Sequence, residues 1–215
     1  MSAFYRPPKE NFNKKSNDFE IIQPFYAIIK DIQAFRRDFP KGHINNLLYT
    51  EMGNSIYGNV VRGMSDKKSF DVKTGNTIRI TGTELSNPIL ASWTTALIRS
   101  VIGECLHNIR KLGGQIVSVT TDGFITDIEN LEAKLLDLPE EDTLLLRKYK
   151  ELRFDLSDCN DALELKSCSK GVISWTTSGH LGLGSDKIVA STGFQRGDYS
   201  REELIELFSA TLKSP

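Results

Sequence analysis

The sequence has little cysteine, little proline and no excess of charge of one sign. Its 215 residues include 3 Cys and 7 Pro, and 27 basic against 28 acidic residues give a net charge of -1. Cys105, Cys159 and Cys168 are an odd number without C-x-x-C spacing. This argues against a disulfide framework or a zinc site and favours a reducing, intracellular compartment. The net charge indicates neither a nucleic-acid nor a membrane partner.

Long hydrophobic runs are also lacking. Charged and polar side chains interrupt the most apolar stretch, residues 88–112, so we expect no membrane span there. Residues 1–15 combine basic side chains with Pro7 and Pro8 and have no apolar run that would serve as a secretory signal. With 39% hydrophobic residues, the chain is long enough for one domain with a sizeable core or for two small domains.

Charge is unevenly distributed along the chain. Residues 1–63 hold 9 basic and 6 acidic side chains, a balance of +3, whereas residues 127–164 hold 5 and 12, a balance of -7. Leucines interspersed in the acidic stretch predict a helical hairpin around Leu138-Pro139-Glu140. A solvated outer surface is the simplest interpretation of its charge.

Hydrophobic periodicity and turn residues predict both helices and strands. The order of these elements predicts an α+β fold in which helices pack on one face of an antiparallel sheet. The first 18 residues lack a periodic apolar face and are expected to form a loop. The expected elements are helices over residues 19–35, 45–61, 88–112 and 200–213, hairpins over 69–81 and 115–128, and strands over 171–176 and 187–191.

Local capping patterns mark three of these helices. Asn87, which precedes a proline, is expected to begin the long apolar helix. Ser200, with Glu203 three residues later, has the pattern of a capping box at the last helix. Asn45 or Asn46 is the expected cap of the second helix.

Two glycines inside the second predicted helix need a physical reason. Gly53 and Gly58 each cost about 1 kcal/mol relative to alanine, so we expect another body to approach the helix there. Asn54 and Tyr57 share a face with Thr50 and would offer an amide and an aromatic ring to one partner, such as a nucleotide base. The alternative, which physical reasoning alone favours, is a tight helix–helix crossing at the glycines with a half-buried Tyr57.

Asp122 is the second candidate residue. Asp-Gly is a common hairpin turn, so a structural role alone would account for it. A carboxylate at the tip of a hairpin also suits a hard divalent cation such as magnesium. Because a two-metal site needs carboxylates from at least two chain segments, Asp122 alone does not make one.

Other polar residues give weaker indications. His43, His107 and His180 lack the spacing of metal ligands, so packing or surface roles are expected. Residues 179–184, G-H-L-G-L-G, resemble a glycine-rich phosphate loop only superficially, and a flexible turn is expected. Lys187 is a candidate phosphate contact, with a solvated charge as the alternative.

Three segments together resemble the polymerase domain of family B DNA polymerases, most closely the protein-primed organellar, plasmid and viral members. Residues 47–58, LLYTEMGNSIYG, carry the N-S-x-Y-G part of the fingers motif K-x-x-x-N-S-x-Y-G. Residues 117–124, VSVTTDGF, occupy the position of the palm motif Y-x-D-T-D-S, and the long predicted helix lies between them. The resemblance runs from about residue 19 to the last helix and implies the C-terminal fingers–palm portion.

The resemblance implies a DNA-directed DNA polymerase that adds deoxynucleotides to a primer 3′ hydroxyl. Asn54, Tyr57 and Thr50 would lie in the nucleotide-binding segment, with Tyr57 acting against ribonucleotides. Gly58 and Lys187 would contact DNA, the lysine at the primer terminus. The implied partners are primer-template DNA, deoxynucleoside triphosphates and, for the protein-primed subtype, a terminal protein primer, with no membrane partner.

The resemblance also implies a metal site and a domain organisation. Asp122 matches the metal-binding aspartate of the palm motif and would hold Mg²⁺ in a catalytic two-metal site. The implied organisation is a flexible N-terminal segment at 1–18, fingers helices at 19–63, a palm with the motif hairpin at 64–130, an acidic helical insertion at 131–164, and the remaining palm with the start of a thumb at 165–215.

The departures from the family pattern are specific. Thr50 stands where the family has its triphosphate-binding lysine, Thr120 replaces the first palm aspartate, and Gly123 replaces the palm serine. No D-x-x-S-L-Y-P segment precedes residue 50, so we expect a fragment, inactive alone, whose metal site is completed elsewhere. The alternatives are a non-catalytic polymerase relic that binds nucleotide or primer-template, and a structural α+β module.

Overall fold

The computed structural model describes residues 23–64, 67–177, 179–183, 189–190 and 199–212. These residues contain six α-helices and seven β-strands, which confirms the α+β class expected from the sequence. The strands form three small antiparallel sheets, two with two strands and one with three. The expected N-terminal loop lies outside the described residues.

Two compact units make up the chain. Unit 1 comprises residues 1–97 and 151–160, and unit 2 comprises residues 98–150 and 161–215. Two helices contribute to both units: α3, Pro88–Lys111, and α5, Leu144–Ser157. Each unit has packing interactions of its own.

Unit 1 begins with helices α1, Tyr26–Arg37, and α2, Ile44–Val61. The helix predicted over 19–35 is confirmed from residue 26 and ends two residues later than expected, while residues 19–22 lie outside the described part. Ile32 is the buried residue of α1. The basic side chains in the last turn of α1 complement the negative end of the helix dipole.

The cap of α2 differs from the expectation. His43 precedes this helix, and its Nδ1 accepts a hydrogen bond from the backbone amide of Asn45 at 3.2 Å. Asn46 is buried, and its Nδ2 donates to the carbonyl oxygens of Arg36 at 2.9 Å and Phe39 at 3.0 Å. The expected cap, Asn45 or Asn46, is therefore wrong. Asn46 instead donates to carbonyls at the end of α1 and just after it.

A polar cluster joins residues 151–160 to α1 within unit 1. Asp155 Oδ1 accepts hydrogen bonds from the Tyr26 hydroxyl at 2.9 Å and from Lys30 Nζ at 3.2 Å. The hydrogen bond from Tyr26, followed by that from Lys30, lowers the pKa of Asp155, and the bonds with Tyr26 and Asp155 raise the pKa of Lys30. Lys30 and Asp155 are well exposed, so their ion pair contributes little to stability.

An exposed hairpin follows α2. Its strands are β1, Lys68–Asp71, and β2, Asn76–Arg79, paired antiparallel as the sequence predicts. The carboxylate of Asp71 organises the turn by accepting hydrogen bonds from the amide of Lys73 at 3.0 Å and the hydroxyl of Thr74 at 2.8 Å. The pKa of Asp71 is lowered by these bonds, most by that from Thr74.

Helix α3 covers Pro88–Lys111. The Oδ1 of Asn87 accepts a hydrogen bond from the amide of Leu90 at 3.0 Å, which confirms the predicted start. Contrary to the sequence expectation, α3 is long and apolar enough to cross a membrane, with a mean hydropathy of 1.3 over 18 residues. Length and composition alone do not distinguish such a span from a core helix; Cys105 and Ile109 are buried, whereas only 11% of the apolar window of α3 is buried.

The main core of unit 2 forms between α3 and the acidic hairpin. Helix α4, Leu131–Leu136, a 3-10 turn at Glu140–Asp142 and helix α5, Leu144–Ser157, confirm the predicted helical hairpin. Burial raises the pKa of the Cys105 thiol to about 12, and none of the three cysteines forms a disulfide. The buried residues of this core are Cys105, Leu135, Leu146 and Ala162.

Polar side chains of α3 hold the start of α5. The two carboxylate oxygens of Glu104 accept hydrogen bonds from the amides of Leu145 at 3.0 Å and Leu146 at 2.9 Å. Asn108, which is buried, donates from Nδ2 to the carbonyl of Asp142 at 2.6 Å. Glu104 thus caps α5 from another helix and places a negative charge at the positive end of its dipole.

The C-terminal sheet corrects one sequence expectation. Strands β5, Gly171–Thr176, and β7, Val189–Ala190, lie where strands were predicted, but β6, Gly179–Leu183, was expected to be a flexible turn. The glycine-rich segment instead forms the middle strand of this sheet. The reason is packing, because Leu181 is fully buried in this strand and Gly179 leaves room for the side chain of Trp175.

Helix α6, Arg201–Leu212, packs on this sheet through Leu204, which contacts Leu181. The predicted capping box is confirmed: the amide of Ser200 donates to the carboxylate of Glu203 at 2.6 Å, and the amide of Glu203 donates to Ser200 Oγ at 3.2 Å. The hydrogen bond from the Ser200 amide lowers the pKa of Glu203.

We expect Glu104→Gln to lower the free energy of unfolding by about 1 kcal/mol. The glutamine side chain has one acceptor oxygen, whereas the amides of Leu145 and Leu146 each need one. Urea denaturation followed by far-UV circular dichroism measures the change. Glu141→Gln, at an exposed position in the neighbouring 3-10 turn, is the matched control. Equal losses in the two variants would contradict the capping role.

Candidate functional site

The N-S-x-Y-G segment lies in the second half of α2. Asn54 and Tyr57, three residues apart on one side of the helix, are both exposed, and Tyr57 is 41% accessible. Thr50 is half-buried, and its hydroxyl donates to the carbonyl of Asn46 at 2.8 Å. The structure therefore brings Asn54 and Tyr57 together on an open surface and leaves Thr50 at its edge.

The hydroxyl of Tyr57 lies 2.9 Å from Oγ1 of Thr95 in α3. Thr95 donates its only hydroxyl hydrogen to the carbonyl of Ala91 at 2.9 Å, so Tyr57 is the donor in this pair. The bond holds the ring at its hydroxyl end and leaves much of the ring accessible. Sequence reasoning missed Thr95 because it is 38 residues away and no local pattern pairs the two.

The glycines of this segment do not serve a tight helix crossing. A Cβ added at Gly53 would lie 3.9 Å from Cγ2 of Ile32, which is ordinary van der Waals contact. A Cβ added at Gly58 would meet nothing within 4 Å. The packing alternative is therefore wrong for Gly58, and no neighbour among the described residues explains why α2 has a glycine there.

Asp122 lies at the tip of the hairpin formed by β3, Ile116–Val119, and β4, Phe124–Thr126, where the sequence predicts it. The amide and the hydroxyl of Thr120 both donate to the carbonyl of Gly123, at 2.8 and 3.1 Å, and close the turn. Asp122 is exposed. The hairpin thus presents this carboxylate to solvent on a closed turn.

Side-chain hydrogen bonds fix the hairpin within unit 2. At its base, the amide of Gln115 donates to the carboxylate of Asp127 at 2.7 Å. Along its length, the hydroxyl of Ser118 donates to the carbonyl of Thr177 at 3.2 Å. The same carbonyl accepts from Nε2 of the buried His180 at 3.1 Å, so this histidine has a packing role.

The donor set at Asp122 is incomplete for a two-metal site. Among the described residues, no three His, Cys, Asp or Glu side chains are grouped so that they could hold a metal ion. Asp122 offers one carboxylate, and two-metal chemistry needs carboxylates from at least two chain segments. The described residues alone do not fit a complete magnesium site.

The candidate residues fall into separate parts of the structure. Asn54, Tyr57 and Gly58 belong to unit 1, and Asp122 belongs to unit 2. Lys187 lies outside the described residues. The structure therefore brings Asn54, Tyr57 and Gly58 together on α2 and describes Asp122 within unit 2.

Over 108 residues the chain is 33% identical to the Primer-independent DNA polymerase PolB of Escherichia coli. This similarity supports a relation to the DNA polymerases. The matched residues are 50% of this chain and 12% of the polymerase, so the chain spans a small part of that relative. No family model matches the chain, and no solved structure does. The protein-primed subtype and the C-terminal fingers–palm position stay predictions within this polymerase relation.

We expect Gly58→Ala to raise the free energy of unfolding by roughly 0.5–1 kcal/mol, because alanine favours the helix and its methyl group meets open space. Gly103→Ala is the matched control, since a Cβ at this exposed position of α3 also meets nothing within 4 Å. Urea denaturation compares the two variants. Loss of stability at Gly58 alone would contradict the open surface.

Proposed function

We propose that this chain is the part of a family B DNA polymerase that contacts the incoming deoxynucleotide and supplies one metal-binding carboxylate. The assembled polymerase would add deoxynucleotides to a primer 3′ hydroxyl under template direction during DNA replication. The observation that carries the proposal is the 33% identity over 108 residues with a DNA polymerase. Because the chain corresponds to 12% of that relative, catalysis is proposed for the whole protein and not for these residues alone.

Asn54 and Tyr57 are the proposed nucleotide contacts. Both are exposed on α2, where an amide and an aromatic ring can meet the polar edge and the face of a base. The bare surface at Gly58 allows primer-template DNA to approach the helix closely, since no Cβ stands in the way. Tyr57 would exclude ribonucleotides by occupying the space that a 2′ hydroxyl needs.

Asp122 is the proposed metal-binding residue of this chain. It would be one ligand of magnesium, which when bound would supply Lewis-acid chemistry for phosphoryl transfer. Asp122 would hold its carboxylate toward the site from the tip of a hydrogen-bonded turn, and further carboxylates would come from outside the described residues. Lys187 keeps its proposed role at the primer terminus by resemblance alone, and so does the terminal protein primer.

A non-catalytic polymerase relic is the second candidate. Thr50, in place of a triphosphate-binding lysine, uses its hydroxyl inside α2, and Thr120, in place of an aspartate, uses its side chain to close the hairpin turn. Neither residue contributes a charge to a nucleotide or a metal ion. Such a protein would still bind nucleotide or primer-template without extending a primer.

We expect Asn54→Ala to weaken binding of a fluorescent deoxynucleoside triphosphate about three- to tenfold, the range that one lost hydrogen bond covers. Fluorescence titration of the whole chain measures the dissociation constant. Asn160→Ala, at an exposed position in the same unit, serves as the matched control. If the unmodified chain binds no nucleotide, the proposed function is wrong.

The isolated chain should not extend a labelled primer with magnesium and deoxynucleotides, because its described residues supply a single carboxylate to the site. Magnesium should nevertheless strengthen binding of primer-template, and Asp122→Asn should remove that increase while Asp137→Asn, at another exposed aspartate, keeps it. Gel-based extension and fluorescence anisotropy measure these effects. Primer extension that Asp122→Asn abolishes would contradict the expected incomplete metal site.

A further inference from the structure

We infer that Thr95 is a positioning residue for Tyr57, holding the hydroxyl end of its ring so that the ring can discriminate at the sugar of an incoming nucleotide. The discrimination rests on the proposed function, whereas the contact between the two side chains is independent of it. Thr95 belongs to none of the motifs that the polymerase resemblance identifies.

The direction of the hydrogen bond follows from the donors available. The hydroxyl of Thr95 donates to the carbonyl of Ala91 at 2.9 Å, which fixes its side chain against its own helix. Its oxygen can then accept, and the Tyr57 hydroxyl at 2.9 Å is placed to donate. Ala91, whose carbonyl holds the Thr95 hydroxyl, is itself buried.

The contact lies close to hydrogen bonds that connect the end of α2 to the start of α3. The amide of Asn87 donates to the carbonyl of Val60 at 2.9 Å, and the hydroxyl of Ser86 donates to that of Arg62 at 2.8 Å. These bonds satisfy carbonyls that the end of a helix leaves open. Tyr57, one turn earlier in α2, therefore meets Thr95 across two helices that are already tied together.

An exposed ring needs such a contact if its position is to matter. With 41% of its surface accessible, Tyr57 has little packing to select one rotamer. Discriminating a 2′ hydroxyl from a hydrogen depends on the ring occupying one place, because a displacement of about 1 Å is enough to lose a positioning effect. The hydrogen bond to Thr95 supplies that restraint from α3, whereas the proposed nucleotide contacts lie on α2.

The neighbouring residue provides a matched control. Thr94 makes the same bond to its own helix, from its hydroxyl to the carbonyl of Leu90 at 2.8 Å, and is exposed. Replacing Thr94 or Thr95 by valine removes the same atoms and the same helix bond. The contact with Tyr57 distinguishes the two positions.

The test compares dissociation constants of the whole chain for N-methylanthraniloyl dATP and ATP by fluorescence titration. We expect Thr95→Val and Tyr57→Phe each to reduce the preference for the deoxynucleotide about three- to tenfold. Thr95→Ser, which keeps the acceptor oxygen, should retain the preference, and Thr94→Val should leave it unchanged. A structural effect alone would alter both dissociation constants in proportion.

A double-mutant cycle separates this inference from the proposed function. Urea unfolding of Tyr57→Phe, Thr95→Val and the double variant measures the coupling between the two side chains without any nucleotide. Coupling indistinguishable from zero, or a deoxynucleotide preference unchanged in Thr95→Val, overturns the positioning role. Failure of the unmodified chain to bind either nucleotide overturns the proposed function instead, and the cycle then decides whether Thr95 holds Tyr57.

Discussion

The packing of unit 2 depends on the hydrogen bonds that the Glu104 carboxylate accepts from the first turn of α5. A helix start leaves amides that need acceptors, and Glu104 meets two of them from another helix. Arg147 donates hydrogen bonds to carbonyls at the end of α4 and just after it, and Asn108 donates to the carbonyl of Asp142 just before α5. With these ends fixed, the core closes around Cys105, and Phe124 of the Asp122 hairpin packs against it.

Elements with local signals could be predicted from the sequence. Asn87 at the start of α3, the Ser200–Glu203 capping box and the hairpin around Asp122 all depend on residues within a few positions of one another. Their turn and capping chemistry is complete in the sequence itself.

Features that depend on distant residues could not be predicted. Asparagine is a favoured N-cap residue, so Asn46 is a natural candidate. In the structure Asn46 is buried and donates to the carbonyls of Arg36 and Phe39 instead. The glycines of β6 are typical of a turn, and no local pattern in the sequence indicates that Leu181 is buried. Thr95 carries no sequence mark at all, because its partner comes from another helix.

The three cysteines form a graded set of chemical reporters. Cys105 is fully buried with a pKa near 12, so neutral-pH alkylation requires the unit 2 core to open, whereas Cys168 is exposed and available at once. Cys159 is intermediate in exposure and belongs to unit 1. The order in which iodoacetamide labels these thiols would therefore act as a clock for local opening, read by mass without adding any probe to the chain.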